Sequence, residues 1–302
     1  MGIPFDVPEN SVADRPVVPG AGRNAATSMN FFLRTGLCLL FMAGAADAAT
    51  EPKQSCDEGP QAAAASNAGS LGSLLWSPFK HVEVGWEIYG PLIAEEIGSL
   101  CAPASPGFAA TLGLWQKAHG LPGTGVLDAA TFLRITQIWE GRRPFVLASR
   151  KVCPSPPAQL ADATPAESYG GKNVQLRPGA LAAYRRLVAA ARAQVPQLRQ
   201  DPRLLTIFSG YRSPESDAAR CASEQNCQGL VRATCSAHRT GLAVDLDLGS
   251  APGFRPDSSA DVNRLTISRS PAYRWLVANA AHFGFVNYPF EPWHWEWTGE
   301  KP

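Results

Sequence analysis

An α+β fold is predicted for this chain by three observations. Residues 178–195 carry Leu181, Tyr184, Leu187, Val188 and Ala191 at helical spacing, a stripe that one helix face would bury. Residues 242–248 alternate Leu, Val and Leu with Ala, Asp and Asp, and residues 293–297 alternate Trp with His and Glu. Both runs have the period of two that marks a half-buried strand. The elements follow one another as helix, strand, helix and then antiparallel strands, which suits a small sheet with flanking helices.

The order of the chain gives the domain plan. At 302 residues the length suggests two domains, and an apolar content of 45% supplies a core. A net charge of +1 gives no basic field for nucleic acid. Residues 1–48 read as an N-terminal extension and a signal peptide. Arg34 leads into the apolar run Leu37 to Ala46, and Ala46-Asp-Ala48 offers a cleavage site. That run is too short for a membrane span, so no stable span is expected after cleavage. Residues 49–75, rich in Ala, Ser and Gly, read as a flexible linker.

Residues 76–141 read as a three-helix module. Trp86 to Ser99 carries Ile88, Leu92, Ile93 and Ile97 at helical spacing, and Pro106 to Ala118 carries Leu112, Leu114 and Trp115. After a turn-rich connector, Asp128 is placed to N-cap a third helix running through Trp139. Five prolines mark residues 142–170 as a second linker. Residues 171–302 hold the α+β domain. There a helix starts at Pro178, Leu204 to Ser209 forms a strand, and Ser270 caps another helix with Pro271 at its first position.

Chemistry concentrates in two stretches. Cys235-Ser-Ala-His-Arg-Thr-Gly-Leu-Ala-Val-Asp-Leu-Asp247 offers His238 and Asp245, and Phe290-Glu-Pro-Trp-His-Trp-Glu296 offers His294, Glu291 and Glu296. Two imidazoles and a carboxylate form a ligand set that Zn²⁺ accepts, with a fourth position left for water. A further carboxylate beside that water would serve as general base in a hydrolysis. Gly241 suits a tight turn that folds His238 back toward Asp245. Simple alternation puts Glu296 on the His294 face and Glu291 on the Trp face, unless the chain bends at Pro292. Glu296 is therefore a rival for the base.

These residues carry a family resemblance. Ser236-x-His238-x-x-Gly241-x-Ala243-x-Asp245 followed by Glu291-Pro-Trp-His294 resembles the VanY-type D-alanyl-D-alanine carboxypeptidases, and Ser209-Gly-Tyr-Arg-Ser213 resembles a third motif of that family. The resemblance implies Zn²⁺ on His238, Asp245 and His294, Glu291 as base, and Arg212 at the scissile carbonyl. It also implies peptidoglycan stem peptides as the partner. Ser236 and Trp293 are candidates for contact with the substrate, the alternatives being that Ser236 caps the turn before His238 and that Trp293 belongs to the core or pocket wall. Removal of the terminal D-Ala is the implied reaction. An endopeptidase on the same polymer and a non-catalytic wall-binding protein of the same fold are the alternatives.

Upstream, Trp115-Gln-x-x-x-Gly120-Leu-Pro-x-x-Gly125-x-x-Asp128 resembles a three-helix peptidoglycan-binding module. The alternative for that segment is a helical subdomain that buttresses the enzyme. Export to the periplasm or cell wall is expected, and the six cysteines beyond the leader fit disulfides. Cys56–Cys101 is one expected pair, with two more among Cys153, Cys221, Cys227 and Cys235.

Overall fold

Short helices and a two-stranded ribbon occupy the described part of the first half of the chain, and the main sheet lies in the second. The computed structural model describes residues 55–77, 82–149, 153–223, 227, 235–289 and 291–302. The expected leader in residues 1–48 lies outside the described residues. Among the described residues no helix is long and apolar enough to cross a membrane.

The first half holds α1 (Gln61–Ser70), α2 (Gly90–Ile97), α3 (Pro106–Ala118), α4 (Ala129–Gly141) and α5 (Pro144–Ala148), with strands β1 (Leu75–Trp76) and β2 (Glu83–Val84) paired antiparallel. Local chemistry explains the helix starts. The Ser105 hydroxyl accepts from the Phe108 N–H, and Asp128 accepts from the Thr131 N–H at 2.7 Å, so each satisfies a donor that the first helical turn leaves over. Gln116, buried on α3, donates to Val126 O and accepts from the Gly125 N–H, which fixes the connector before α4.

The second half holds α6 (Pro178–Gln194), α7 (Pro196–Gln200), α8 (Pro214–Ser223), α9 (Asp261–Ser268) and α10 (Pro271–Asn279). Its strands are the ribbon β3 (Ala161–Asp162) and β4 (Gln175–Leu176), then β5 (Ile207–Ser209), β6 (Ala243–Leu246), β7 (Phe285–Tyr288) and β8 (Glu291–Trp297). The last four form one antiparallel sheet in the order β5-β6-β8-β7. The architecture is α+β. Leu181, Tyr184, Leu187, Val188 and Ala191 of α6 are all buried, as their spacing requires. Ser270 caps α10 by accepting from the Tyr273 N–H.

One hydrophobic core runs through both halves. It joins Trp76, Trp86, Phe108 and Phe132 to Leu187, Val244, Leu276 and Trp295. Full burial of each large apolar side chain contributes on the order of 1.5–3 kcal/mol, so the helical layer and the sheet are energetically one body. Polar contacts cross the same boundary. Tyr89 and Tyr273 share a hydrogen bond of 2.9 Å, and buried Arg264 pairs with buried Glu83 at 2.8 Å.

Several stretches differ from their sequence expectations. Within the expected linker 49–75 lies α1, because Ala63 and Ala64 pack beside Ala109 and Asn67 bonds to Leu127 N and Gly125 O. The proline-marked stretch 142–170 holds α5 and β3, with Arg143 buried. The helix expected from Trp86 is a 3₁₀ turn, Glu87–Tyr89, leading into α2. On β6 every residue is buried instead of every second one, since the polar face is enclosed as well. The expected disulfide Cys56–Cys101 is present, and the other four cysteines pair as Cys153–Cys235 and Cys221–Cys227.

Candidate metal centre

Strand register assembles the site. Ser209 on β5 and His294 on β8 each sit opposite Asp245 on β6, so the three side chains share one row across the sheet. Asp245 Oδ1 lies 2.8 Å from His294 Nδ1. His238 arrives from outside the sheet on the 3₁₀ turn Ala237–Thr240, which ends at Gly241 with φ 68. That left-handed conformation favours glycine, and it sends the chain straight into β6. His238 Nε2 then lies 3.1 Å from Asp245 Oδ2. The ligand atoms of His238, Asp245 and His294 all fall within 4.8 Å of one another, and all three residues are buried.

The outward nitrogens are engaged too. His238 Nδ1 is 2.7 Å from the Gly210 carbonyl, and His294 Nε2 is 3.3 Å from Glu296 Oε1. Metal-binding histidines hold one nitrogen on an acceptor in this way, which leaves the other nitrogen's lone pair for the ion. Burial and the Arg212 guanidinium hold His238 down to about 4, so its imidazole is neutral. Burial opposes charge on His294 as well, but its bonds to Asp245 and Glu296 push it up to about 9. Burial alone would raise Asp245, yet the two imidazoles hold it far below the usual carboxylate range. Asp245 is thus an anion between the two imidazoles. The three residues fit a divalent cation.

Arg212 stands beside this centre. Its guanidinium donates to Ser209 Oγ at 2.7 Å and to Asp245 Oδ2 at 3.4 Å, and its backbone N–H donates to the His238 carbonyl. Glu291 opens β8 opposite Tyr288. The β7–β8 ladder is irregular there, for Asn287 faces Trp295 while the next residue, Tyr288, faces Glu291. The extra residues form a bulge, which frees Glu291 from the simple alternation. Burial pushes its carboxyl up, with His294, Asp245, Arg143 and Arg212 among the charges it feels.

Glu296, the rival carboxylate, is held fast. Arg143 donates to its Oε1 from Nε at 2.8 Å and also from Nη2, and the Phe145 N–H donates to Oε2 at 2.9 Å. Arg143 keeps it down to about 2 against the effect of burial. An acceptor so engaged, and aimed at the His294 nitrogen away from Asp245, is poorly suited to take a proton from water.

The other expected residues have different surroundings. The Ser236 hydroxyl donates to Asp217 Oδ1 at 2.8 Å, and Arg239 donates to Asp217 Oδ2 at 3.1 Å, so Asp217 braces the His238 turn. Trp293 is buried in the hydrophobic core. Sequence reasoning missed Asp217 and Arg143 as parts of the site. The one signal for Arg143 was the acidic Glu296 beside His294, which called for a buried cation.

The chain shows likeness to one family model and to several solved structures. No curated protein sequence matches the chain. Among solved structures, the LdcB LD-carboxypeptidase is 22% identical over 48% of this chain and 71% of its own, with a TM-score of 0.36. The vancomycin-resistance D,D-pentapeptidase VanY of the VanB-type cassette, solved in complex with Zn(II), is 23% identical over 48% of this chain and 83% of its own, at 0.30. DacB from Streptococcus pneumoniae is 23% identical over 41% and 67%, at 0.28. The family model described as D-alanyl-D-alanine carboxypeptidase, VanY, matches residues 173–300, the span that holds Arg212, His238, Asp245, Glu291 and His294. Over that span, which is less than half of its length, the chain resembles the VanY family of D-alanyl-D-alanine carboxypeptidases.

Proposed function

We propose that this chain is a zinc-dependent peptidase of peptidoglycan stem peptides that removes the terminal D-Ala. The observation that carries the reading is the convergence of His238, Asp245 and His294, with each histidine's other nitrogen on an acceptor. Zn²⁺ held by these three residues supplies a Lewis acid and brings the pKa of a water to about 7.

The protein's own residues do the rest. Glu291, with its carboxyl raised by burial, is tuned toward neutral pH and accepts the proton from the attacking water. It then returns that proton to the amine of the leaving D-Ala. Arg212 directs its guanidinium at the scissile carbonyl oxygen and stabilises the negative charge that develops there. Ser209 holds the Arg212 side chain in place. The buried surroundings of the row strengthen each of these interactions by excluding water.

The three disulfides support export to an oxidising compartment, the periplasm or the cell wall. Residues 76–141 carry the motif that resembles a wall-binding module, and their share in the common core supports the buttress role. Digestion of purified muropeptides, read by mass spectrometry, tests the bond assigned. Loss of one alanine from pentapeptide stems is the expected product. A split cross-link or a cut nearer the sugar would make the enzyme an endopeptidase.

A further inference from the structure

The candidate centre reaches outside the family-matched span at Arg143. Arg143 lies between α4 and α5, in the helical layer and 151 positions from His294 by chain number, yet it is buried against the site. Its guanidinium is fully employed there. Nε and Nη2 meet Glu296 Oε1, Nη1 meets Glu140 Oε2 at 2.7 Å, and Cζ lies 3.9 Å from the centre of the Tyr288 ring. The Phe145 N–H, also from the helical layer, holds the second oxygen of Glu296. The oxygen that Arg143 grips is the one that faces His294 Nε2 at 3.3 Å.

A second route joins the same two parts. Tyr89 of the helical layer bonds to Tyr273, the Tyr273 hydroxyl donates to Asn287 Oδ1 at 2.7 Å, and Asn287 donates to the His294 carbonyl at 3.0 Å. His294 is thus held at its ring and at its backbone by lines that both begin in the first half of the chain.

We propose that Arg143 is a positioning residue of the metal centre, by which the helical layer fixes the Glu296 carboxylate against His294 and so completes the site. The inference rests on the reading of His238, Asp245 and His294 as zinc ligands. Without Arg143, Glu296 would keep only the Phe145 N–H and His294, and its Oε1 would lose the cation that aims it at the His294 ring. The His294 ring would lose the acceptor that sets its tautomer and orientation.

The test is zinc affinity of the full chain, measured by chelator competition, together with the absorption spectrum of the Co²⁺-substituted protein. Arg143→Met is expected to weaken zinc binding about 10–100-fold and to alter the Co²⁺ spectrum, as loss of an outer-shell partner does. Glu296→Gln should have a similar effect. The double variant, in which Glu140 but not residue 296 loses a charge partner, should be no worse than Glu296→Gln alone, because Arg143 acts on the centre through Glu296. Arg143→Lys should recover part of the affinity. Glu83→Gln breaks a different buried pair between the same halves and is expected to leave zinc affinity and spectrum unchanged. Unchanged affinity in the double variant, additive losses, or an equal loss in Glu83→Gln would each overturn the proposal. A wild-type chain that binds no zinc would instead overturn the metal reading on which it stands.

Discussion

Asp245 and His294 face each other across β6 and β8, with Oδ1 and Nδ1 2.8 Å apart in the enclosed part of the sheet. Two side chains on directly opposed strand positions cannot drift apart without breaking the ladder. His238 is fixed differently, from a turn held by Asp217, Arg239 and the Gly210 carbonyl.

His238→Ala, Asp245→Ala and His294→Ala should each lose stoichiometric zinc, because two protein ligands are too few for a catalytic zinc site. Metal analysis after dialysis checks this. A variant that keeps one zinc per chain would remove that residue from the ligand set.

Glu291→Gln should keep its zinc and lose at least about a hundredfold in kcat, the usual contribution of a general base. Glu296→Gln should instead show its main effect in metal affinity. Single-turnover assays on zinc-saturated variants separate the two. A zinc-loaded but inactive Glu296→Gln beside an active Glu291→Gln would reverse the assignment.

Arg212→Ala should retain metal and lower kcat by about 10²–10³, the scale for loss of one oxyanion donor. A change confined to KM would show that Arg212 only binds the substrate.

Much of this site could be read from residue order, and the reasons it could are local. Alternation in 242–248 and 293–297 placed Asp245 and His294 on polar strand faces, and Gly241 announced the turn that carries His238. Capping chemistry likewise placed the starts of α4 and α10. The bulge that frees Glu291 was only a bend expected at Pro292, because a bulge is defined by the partner strand. Arg143 was hidden for the same reason. Its role depends on packing between segments far apart in the chain, and prolines around it suggested a linker. The position of Glu296 on the His294 face was correctly legible, but alternation says nothing about which cation will meet it. For Ser236 and Trp293 the sequence left a substrate contact and a structural role both open, and the hydroxyl is held by Asp217 while the indole lies in the core.

The Cys153–Cys235 bridge spans a sequence separation of 82 and ends three residues before His238. Replacing both cysteines by serine should lower stability by about 2–5 kcal/mol through the freed unfolded chain. Thermal unfolding measures the loss, and zinc affinity should fall with it because the His238 turn loses its anchor. An unchanged melting temperature would show that the core alone fixes this turn.

The most direct measurement is D-Ala release from a soluble stem pentapeptide ending in D-Ala-D-Ala, with the protein as purified, stripped by chelator, and reloaded with one equivalent of zinc. The account predicts release of one D-Ala per peptide by the purified protein, none by the stripped protein, and recovery on reloading, with Glu291→Gln inactive in the reloaded state. Undiminished release by the fully stripped protein, or by zinc-loaded Glu291→Gln, would contradict it.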